Sequence, residues 1–193
     1  TGYEEISLTS LSSSDYTCLN ELTLALLDMT KKKNINLALP SLRIDNVSID
    51  LMQKVQSVRK SSLTFAPEAG TQRMRDVINK NITEEDITTG LTTAFSGGWT
   101  SVKLYFMIGL PTETDEDVAG IAALAERIVS LYRDVSKEKN LKRGRITVSV
   151  SSFVPKPFTP FQWEPQDNIP TLREKQSLIR NNIKSRMINY NYH

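Results

Sequence analysis

The sequence is poor in the residues that most often carry enzyme chemistry. Its 193 residues include one cysteine, Cys18, and one histidine, His193, the last residue. A lone cysteine excludes an internal disulfide framework and any CxxC or multi-cysteine metal site built from this chain alone. A single terminal histidine removes histidine-based catalysis and most zinc chemistry. Charge of one sign is also lacking: 24 Lys+Arg against 22 Asp+Glu leave a net charge of +2, too little to argue by itself for a nucleic acid or an anionic membrane as partner. There is no apolar run of about 18 residues, and the mean hydropathy is −0.32, so no transmembrane helix is expected. Thr1-Gly2-Tyr3-Glu4-Glu5 has neither the basic start nor the apolar stretch of a signal peptide. A cytoplasmic setting is the expectation. The chain starts without Met on a strand-like run, which reads as a piece of a longer protein.

What is present is a strict alternation of strand and helix signals. Period-two segments recur at 5–9, 35–39, 63–66, 102–108 and 145–151, as strands require. Between them lie helical patterns. One is capped at Asp15 and closed by Lys31-Lys32-Lys33, and a short one runs from Ser48 to Val58. Two more run from Thr71 to about Asn79 and from Thr83 to Gly97-Gly98. A long one begins after Thr114, and a last one starts near Thr171 and fades around Ile188. Thr83-Glu84-Glu85-Asp86 and Thr114-Asp115-Glu116-Asp117 have the look of N-terminal caps with acids in the first turn. Strands spaced roughly 30 to 45 residues apart with helices between them predict right-handed βαβ units, a parallel sheet and a single α/β domain over 1–193.

The strands are not uniformly apolar, as strands of a parallel sheet covered on both faces would be. Val102, Leu104, Phe106 and Ile108 alternate with Lys103, Tyr105, Met107 and Gly109; Ile146, Val148 and Val150 alternate with Thr147, Ser149 and Ser151. Each strand therefore has one edge for the helices and one small or polar edge. A curled sheet whose polar face lines a cavity explains this; an open sheet with a wet face, or a face covered by another domain, is the alternative. Ligands of parallel α/β folds sit at the carboxyl ends of the strands. Glu68 stands at such an end, before a small-residue turn. Lys80 follows twelve residues later. An exposed loop acid and a solvated helix-end cation are the plain alternatives for these two.

Three motifs stand at successive strand ends: Pro67-Glu68-Ala69-Gly70-Thr71 with Val77-Ile78-Asn79-Lys80; Val102 to Thr114 ending in Gly109-Leu110-Pro111-Thr112-Glu113-Thr114; and Ser152-Phe153-Val154-Pro155-Lys156-Pro157-Phe158-Thr159-Pro160-Phe161-Gln162-Trp163. In this order they resemble the radical S-adenosylmethionine enzymes over most of Ile6 to Trp163. More closely, they are similar to an uncharacterised bacterial subfamily with an N-terminal cobalamin-binding-like domain.

The resemblance implies a partial TIM-like (β/α) barrel corresponding to units 2–6 of a (β/α)6 core. It also implies S-adenosylmethionine and a [4Fe–4S] cluster as cofactors, with cobalamin tied to an upstream domain. The cluster is held by a CxxxCxxC loop, and this chain lacks that motif. The fragment alone is therefore expected to be inactive and to hold no metal.

Carried over by position, the resemblance puts Ser10 and Ser12 near the methionine amino group, although the glycines and acid usual there are missing. Arg43 comes within reach of the methionine carboxylate, Glu68 near the ribose, and Lys80 by the same carboxylate. Tyr105 and Met107 fall on the wall beneath the adenosyl group, and Phe153 and Val154 where backbone meets adenine. Thr64, Lys103 and Ser149 would line the substrate chamber. Phe158 departs from a common histidine, and Phe161 and Trp163 read as hydrophobic plugs under the barrel or as substrate contacts.

The implied activity is cleavage of S-adenosylmethionine to a 5′-deoxyadenosyl radical that modifies an unknown substrate. A tRNA or protein methylthiotransferase of the same superfamily is an alternative, as is a non-catalytic TIM-like binding module. The basic run Lys137 to Arg145 reads as a helix end and connector rather than an RNA site, since no aromatics are interleaved with it. With the first unit missing, the first strand is expected to offer an edge for pairing with a neighbouring chain, to lie under a loop, or to be poorly ordered.

Overall fold

The computed structural model describes residues 2–3, 5–8, 16–31, 35–38 and 63–193. Among these, β1 (Glu5–Ser7), α1 (Leu19–Lys31), β2 (Asn36–Ala38) and β3 (Leu63–Glu68) are followed by α2 (Gln72–Val77) and α3 (Glu84–Ser96). Then come β4 (Ser101–Ile108), α4 (Asp115–Lys139), β5 (Arg145–Ser152), α5 (Ile169–Asn182) and β6 (Ile188–Tyr192). All strand pairs among the described residues are parallel. β1 pairs β2 with Ile6 opposite Leu37, and β3 to β6 form a four-stranded sheet in sequence order. The fold is thus α/β with parallel strands, an open and partial barrel wall rather than a closed ring. The helix expected over 48–58 lies outside the described residues.

The apolar strand positions do what the alternation predicts. Leu63, Phe65, Val102, Leu104, Phe106, Ile108, Ile146, Val148 and Val150 share one buried core with Ile87, Leu91 and Phe95 of α3, Val118 to Val135 of α4, and Leu172 and Ile179 of α5. The helices lie on that face; Thr64, Lys103, Tyr105, Thr147 and Asn189 stand on the other, at least partly accessible to solvent. A packed inner surface thus removes the apolar residues of strand and helix from water together, at about 25 cal/mol per Å², and leaves the second face polar.

Helix starts are set by side chains. Thr83 and Thr114 each accept from the backbone N–H three residues on, while Asp86 and Asp117 accept from the cap residue's own N–H, completing two capping boxes. The last helix begins earlier than expected. Asn168, not Thr171, is its cap, with Oδ1 accepting from the Thr171 amide at 2.9 Å, and proline occupies the first turn, where its missing N–H costs nothing. That helix ends at Asn182 instead of fading toward Ile188. Ile188 to Tyr192 form a sixth strand, in register with Ile146 to Val150 of β5.

β3 also runs two residues past its expected end. Pro67 lacks an N–H for the ladder, and the register slips between Phe65 and Glu68. The bulge leaves Glu68 at φ +68°, a left-handed conformation that is uncommon for a glutamate.

Candidate functional site

The carboxyl ends of β3, β4 and β5 come together. Ala69 after β3, Met74 of α2, Leu110 after β4 and Phe153 after β5 form a separate small core, with Ile78, Met107 and Phe161 against it. Phe161 meets Phe153 edge-on, with centroids 6.2 Å apart. The expected plug is therefore half right: Phe161 packs at the carboxyl-end rim of the strands, not under the barrel. Trp163 is 88% exposed and plugs nothing.

The rim is tied to the helix layer at two points. Gly70 lies so close to α4 that a Cβ there would come within 2.2 Å of the Ile121 amide nitrogen. Beside it, Asp117 in the first turn of α4 accepts from Thr71 Oγ1 at 2.5 Å and from the Arg73 guanidinium. Arg73 in turn donates to the Thr112 carbonyl at 2.9 Å. Burial alone would push the Asp117 carboxyl up. The hydrogen bonds from Arg73, Thr71 and Thr114 outweigh it and hold that group well below the usual carboxylate range.

The second tie is a nearly dry ion cluster. Lys175 Nζ of α5 donates to Glu113 Oε2 at 2.8 Å and to Asp167 Oδ2 at 2.7 Å. Glu113 Oε2 also accepts from the Gly109 amide at 2.7 Å. The Glu113 side chain is 3% exposed. Burial raises its carboxyl above the ordinary value, although Lys175 and the Gly109 amide pull the other way. For Lys175, burial acts to lower the ammonium, but the two carboxylates prevail and raise it. Gly109 sits at φ +79°, and a Cβ on it would approach Asp167 Oδ2 to 3.0 Å; glycine serves both constraints there.

Of the residues singled out from sequence, Glu68 and Lys80 are brought together, with Nζ 3.2 Å from Oε1 and both side chains partly exposed at the rim. Tyr105 and Met107 lie on the polar face of β4, Tyr105 open to solvent and Met107 against the rim core. Phe153 is buried, with its amide bonded to Ile108 O at 2.8 Å, and Val154 is 52% exposed. Thr64 is exposed, Lys103 half-buried with its ammonium 4.5 Å over the Tyr105 ring, and Ser149 1% exposed with no partner for its hydroxyl. Ser10, Ser12 and Arg43 lie outside the described residues. The bridging of Glu113 and Asp167 by Lys175 escaped the sequence; its signal was an acid inside the Gly109 to Thr114 turn. The basic run from Lys137 closes α4, and the Lys142 carbonyl accepts from the Tyr132 hydroxyl, as in a connector.

No group of three or more His, Cys, Asp or Glu side chains among the described residues is arranged to hold a metal ion. Cys18 is exposed on the turn before α1, and one thiolate does not fit a cluster that needs three. No helix of the described residues is long and apolar enough to cross a membrane.

Strand-end motifs over a half-polar parallel sheet define an α/β protein with a partial, open barrel wall. The model of the radical SAM superfamily matches residues 1–125, and the chain belongs to that superfamily. It is 37% identical over 163 residues to an uncharacterized protein of Methanocaldococcus jannaschii; the match covers 84% of this chain and 33% of that protein. The chain thus spans about a third of the length of the relative it matches. Among solved structures it resembles a sugar phosphate isomerase/epimerase from Parabacteroides distasonis, with a TM-score of 0.45 and 12% identity over 100% of this chain and 68% of that one.

Proposed function

We propose that this chain forms the cofactor- and substrate-holding wall of a radical S-adenosylmethionine enzyme whose cluster ligands are supplied by residues outside it. The observation that carries this is the match of the superfamily model over 1–125, a region that includes Glu68, Lys80 and the Gly109 to Thr114 turn. Beside a reduced cluster, S-adenosylmethionine is the family's source of a hydrogen-abstracting radical. The tasks of this chain are to bind, orient and shield.

Glu68 presents a carboxylate that can accept both hydroxyl hydrogens of a ribose, and Lys80, 3.2 Å away, supplies a cation for a carboxylate. The rim core of Ala69, Met74, Leu110 and Phe153 excludes water from the adenosyl side. The partly exposed polar face below it is available to substrate.

The test is the full-length protein purified without oxygen. Iron and sulfide near four each per chain, saturable S-adenosylmethionine binding and 5′-deoxyadenosine release after reduction are expected. Glu68→Gln should weaken S-adenosylmethionine binding roughly tenfold, about 1.4 kcal/mol, while costing less than about 1 kcal/mol of stability because the pair is half in solvent. A cluster-loaded protein that neither binds S-adenosylmethionine nor releases 5′-deoxyadenosine would refute the proposal.

A further inference from the structure

We infer that the polar face of the four-stranded sheet binds an oxyanion of the substrate, a carboxylate or phosphoryl group, through Lys103 and Ser149. The inference deepens the proposed function and rests on its reading of this face as the substrate wall.

The first ground is charge. Along β3 to β6, the residues turned away from the helix layer are Thr64 and Ala66; Ser101, Lys103, Tyr105 and Met107; Arg145, Thr147, Ser149 and Ser151; and Asn189 and Asn191. They include two cations, Lys103 and the lower-edge Arg145, and no carboxylate. Glu68, the acid at the end of β3, is occupied by Lys80. Lys103 has no acidic partner among the described residues and instead rests its ammonium over the Tyr105 ring.

That contact sets the position of the charge. Tyr105 is in register with Ser149, and Ser149 with Asn191, so Lys103 delivers its ammonium two residues up the strand, to the level of this row. Neighbours one step diagonal on a sheet lie about 7–8 Å apart at Cα, within the span of one oxyanion bound to a long lysine and a short serine. The row lies three residues below Ile108, about 10 Å from the strand ends. A group bound there is deeper than a cofactor held at the rim.

The second ground is independent. Ser149 is 1% exposed and its hydroxyl has no hydrogen-bond partner, although its neighbours Val148 and Val150 turn into the helix core and it does not. Buried hydroxyls are nearly always satisfied. One left without a partner on a cationic, otherwise hydroxyl- and amide-rich surface is placed to donate to an acceptor that arrives with the ligand. Lysine suits this task as a mobile point charge with three donors, indifferent to whether the anion is planar or tetrahedral.

The experiment uses the full-length, cluster-containing protein. Inorganic phosphate and glutarate are titrated calorimetrically in separate arms, with potassium chloride at matched ionic strength as the blank. At least one anion should bind saturably; binding in the phosphate arm alone identifies a phosphoryl group, and in the glutarate arm alone a carboxylate. Lys103→Met should weaken that binding at least tenfold and Ser149→Ala at least threefold. Lys103→Arg should remain within threefold, and melting curves verify that each variant is folded. No binding above the chloride blank in either arm overturns the inference, as does binding that survives Lys103→Met.

S-adenosylmethionine binding by the wild-type preparation separates the two claims. If it is retained while no anion binds, the oxyanion site falls and the proposed function stands. If it is absent while an anion binds and Lys103→Met abolishes that binding, the site stands and the enzyme reading falls.

Discussion

Removing the cation from the Glu113–Lys175–Asp167 cluster is the sharpest perturbation this fold offers. In Lys175→Met, two carboxylates that shared one ammonium at 2.8 and 2.7 Å are left facing an apolar side chain. Breaking a buried pair by deleting one partner costs about 3–5 kcal/mol. The lower end applies, because Asp167 is 27% exposed and Glu113 keeps the Gly109 amide. About 3 kcal/mol corresponds to roughly 6–12 °C in melting temperature for a chain of this size. The pH dependence gives the sharper signature. Burial already raises the Glu113 carboxyl above its ordinary value, so the stability linked to it is complete below that value and is lost as the pH rises through the folded one. Without Lys175 the folded value climbs further, and the loss grows and extends to higher pH. Urea midpoints from pH 4 to 8 should therefore show a penalty of about 3 kcal/mol at pH 7.5 that shrinks toward about 1 kcal/mol at pH 4, where Glu113 is protonated. The double variant Glu113→Gln/Lys175→Met should recover most of the loss at pH 7.5. A penalty flat with pH, or a double variant no better than the single one, would refute the reasoning.

Two further outcomes follow from the rim. Asp117→Asn should cost about 2 kcal/mol at neutral pH through weakened bonds to Arg73, Thr71 and Thr114. Because the Asp117 carboxyl is depressed on folding, its contribution is present above the ordinary carboxylate value and is lost as the pH falls. Wild-type and variant stabilities should begin to converge only as the pH falls below about 4 and continue to approach each other well below it. A difference that stays constant would exclude the network. Phe161→Ala should lower stability by about 2 kcal/mol, half the cost of a fully buried phenylalanine. Trp163→Ala should change it by less than about 0.5 kcal/mol, and equal losses in thermal melts would contradict the different exposure of the two rings.

Local patterning made most of the architecture legible. The alternation along β4 and β5 separated a helix-facing edge from a polar one, and Thr83 and Thr114 announced their helices through short-range caps. β6 was missed although Ile188, Tyr190 and Tyr192 alternate with Asn189 and Asn191. Asparagine is depleted in strands, and the apolar spacing of Leu172, Leu178 and Ile179 carried a helical reading past Asn182. The start of α5 was displaced because Thr171 and Glu174 mimic a capping box, while the effective cap, Asn168, precedes a first-turn proline. At the site, Glu68 and Lys80 were recognisable one by one, but their pairing depends on the bulge at Pro67, which strand patterning does not encode. Glu113 and Lys175 are 62 residues apart. No periodicity reports such a contact, since it arises only when α5 packs against the end of β4.

The two ends of the polar face differ in kind, and the difference bears on how such a wall could work. Among the described residues, the turns at the carboxyl ends of β3 and β4 are fastened to distant segments. Gly70 is seated on α4, Arg73 bridges Thr112 and Asp117, and Lys175 holds Glu113 to Asp167. Apart from the short-range Lys175–Asp167 bond, the hydrogen bonds join residues 39 to 62 positions apart, so the rim geometry is set by folding and not by a ligand. Lower on the sheet the side chains are small or flexible, and Ser149 and Lys103 lack polar partners of their own. A rigid rim suits a group that is the same in every turnover. A lower face with unspent hydrogen-bonding capacity suits the more variable substrate of the proposed function. Substitutions at Asp117 or Glu113 should therefore act first on stability, whereas substitutions at Lys103 or Ser149 should act first on which molecule is bound.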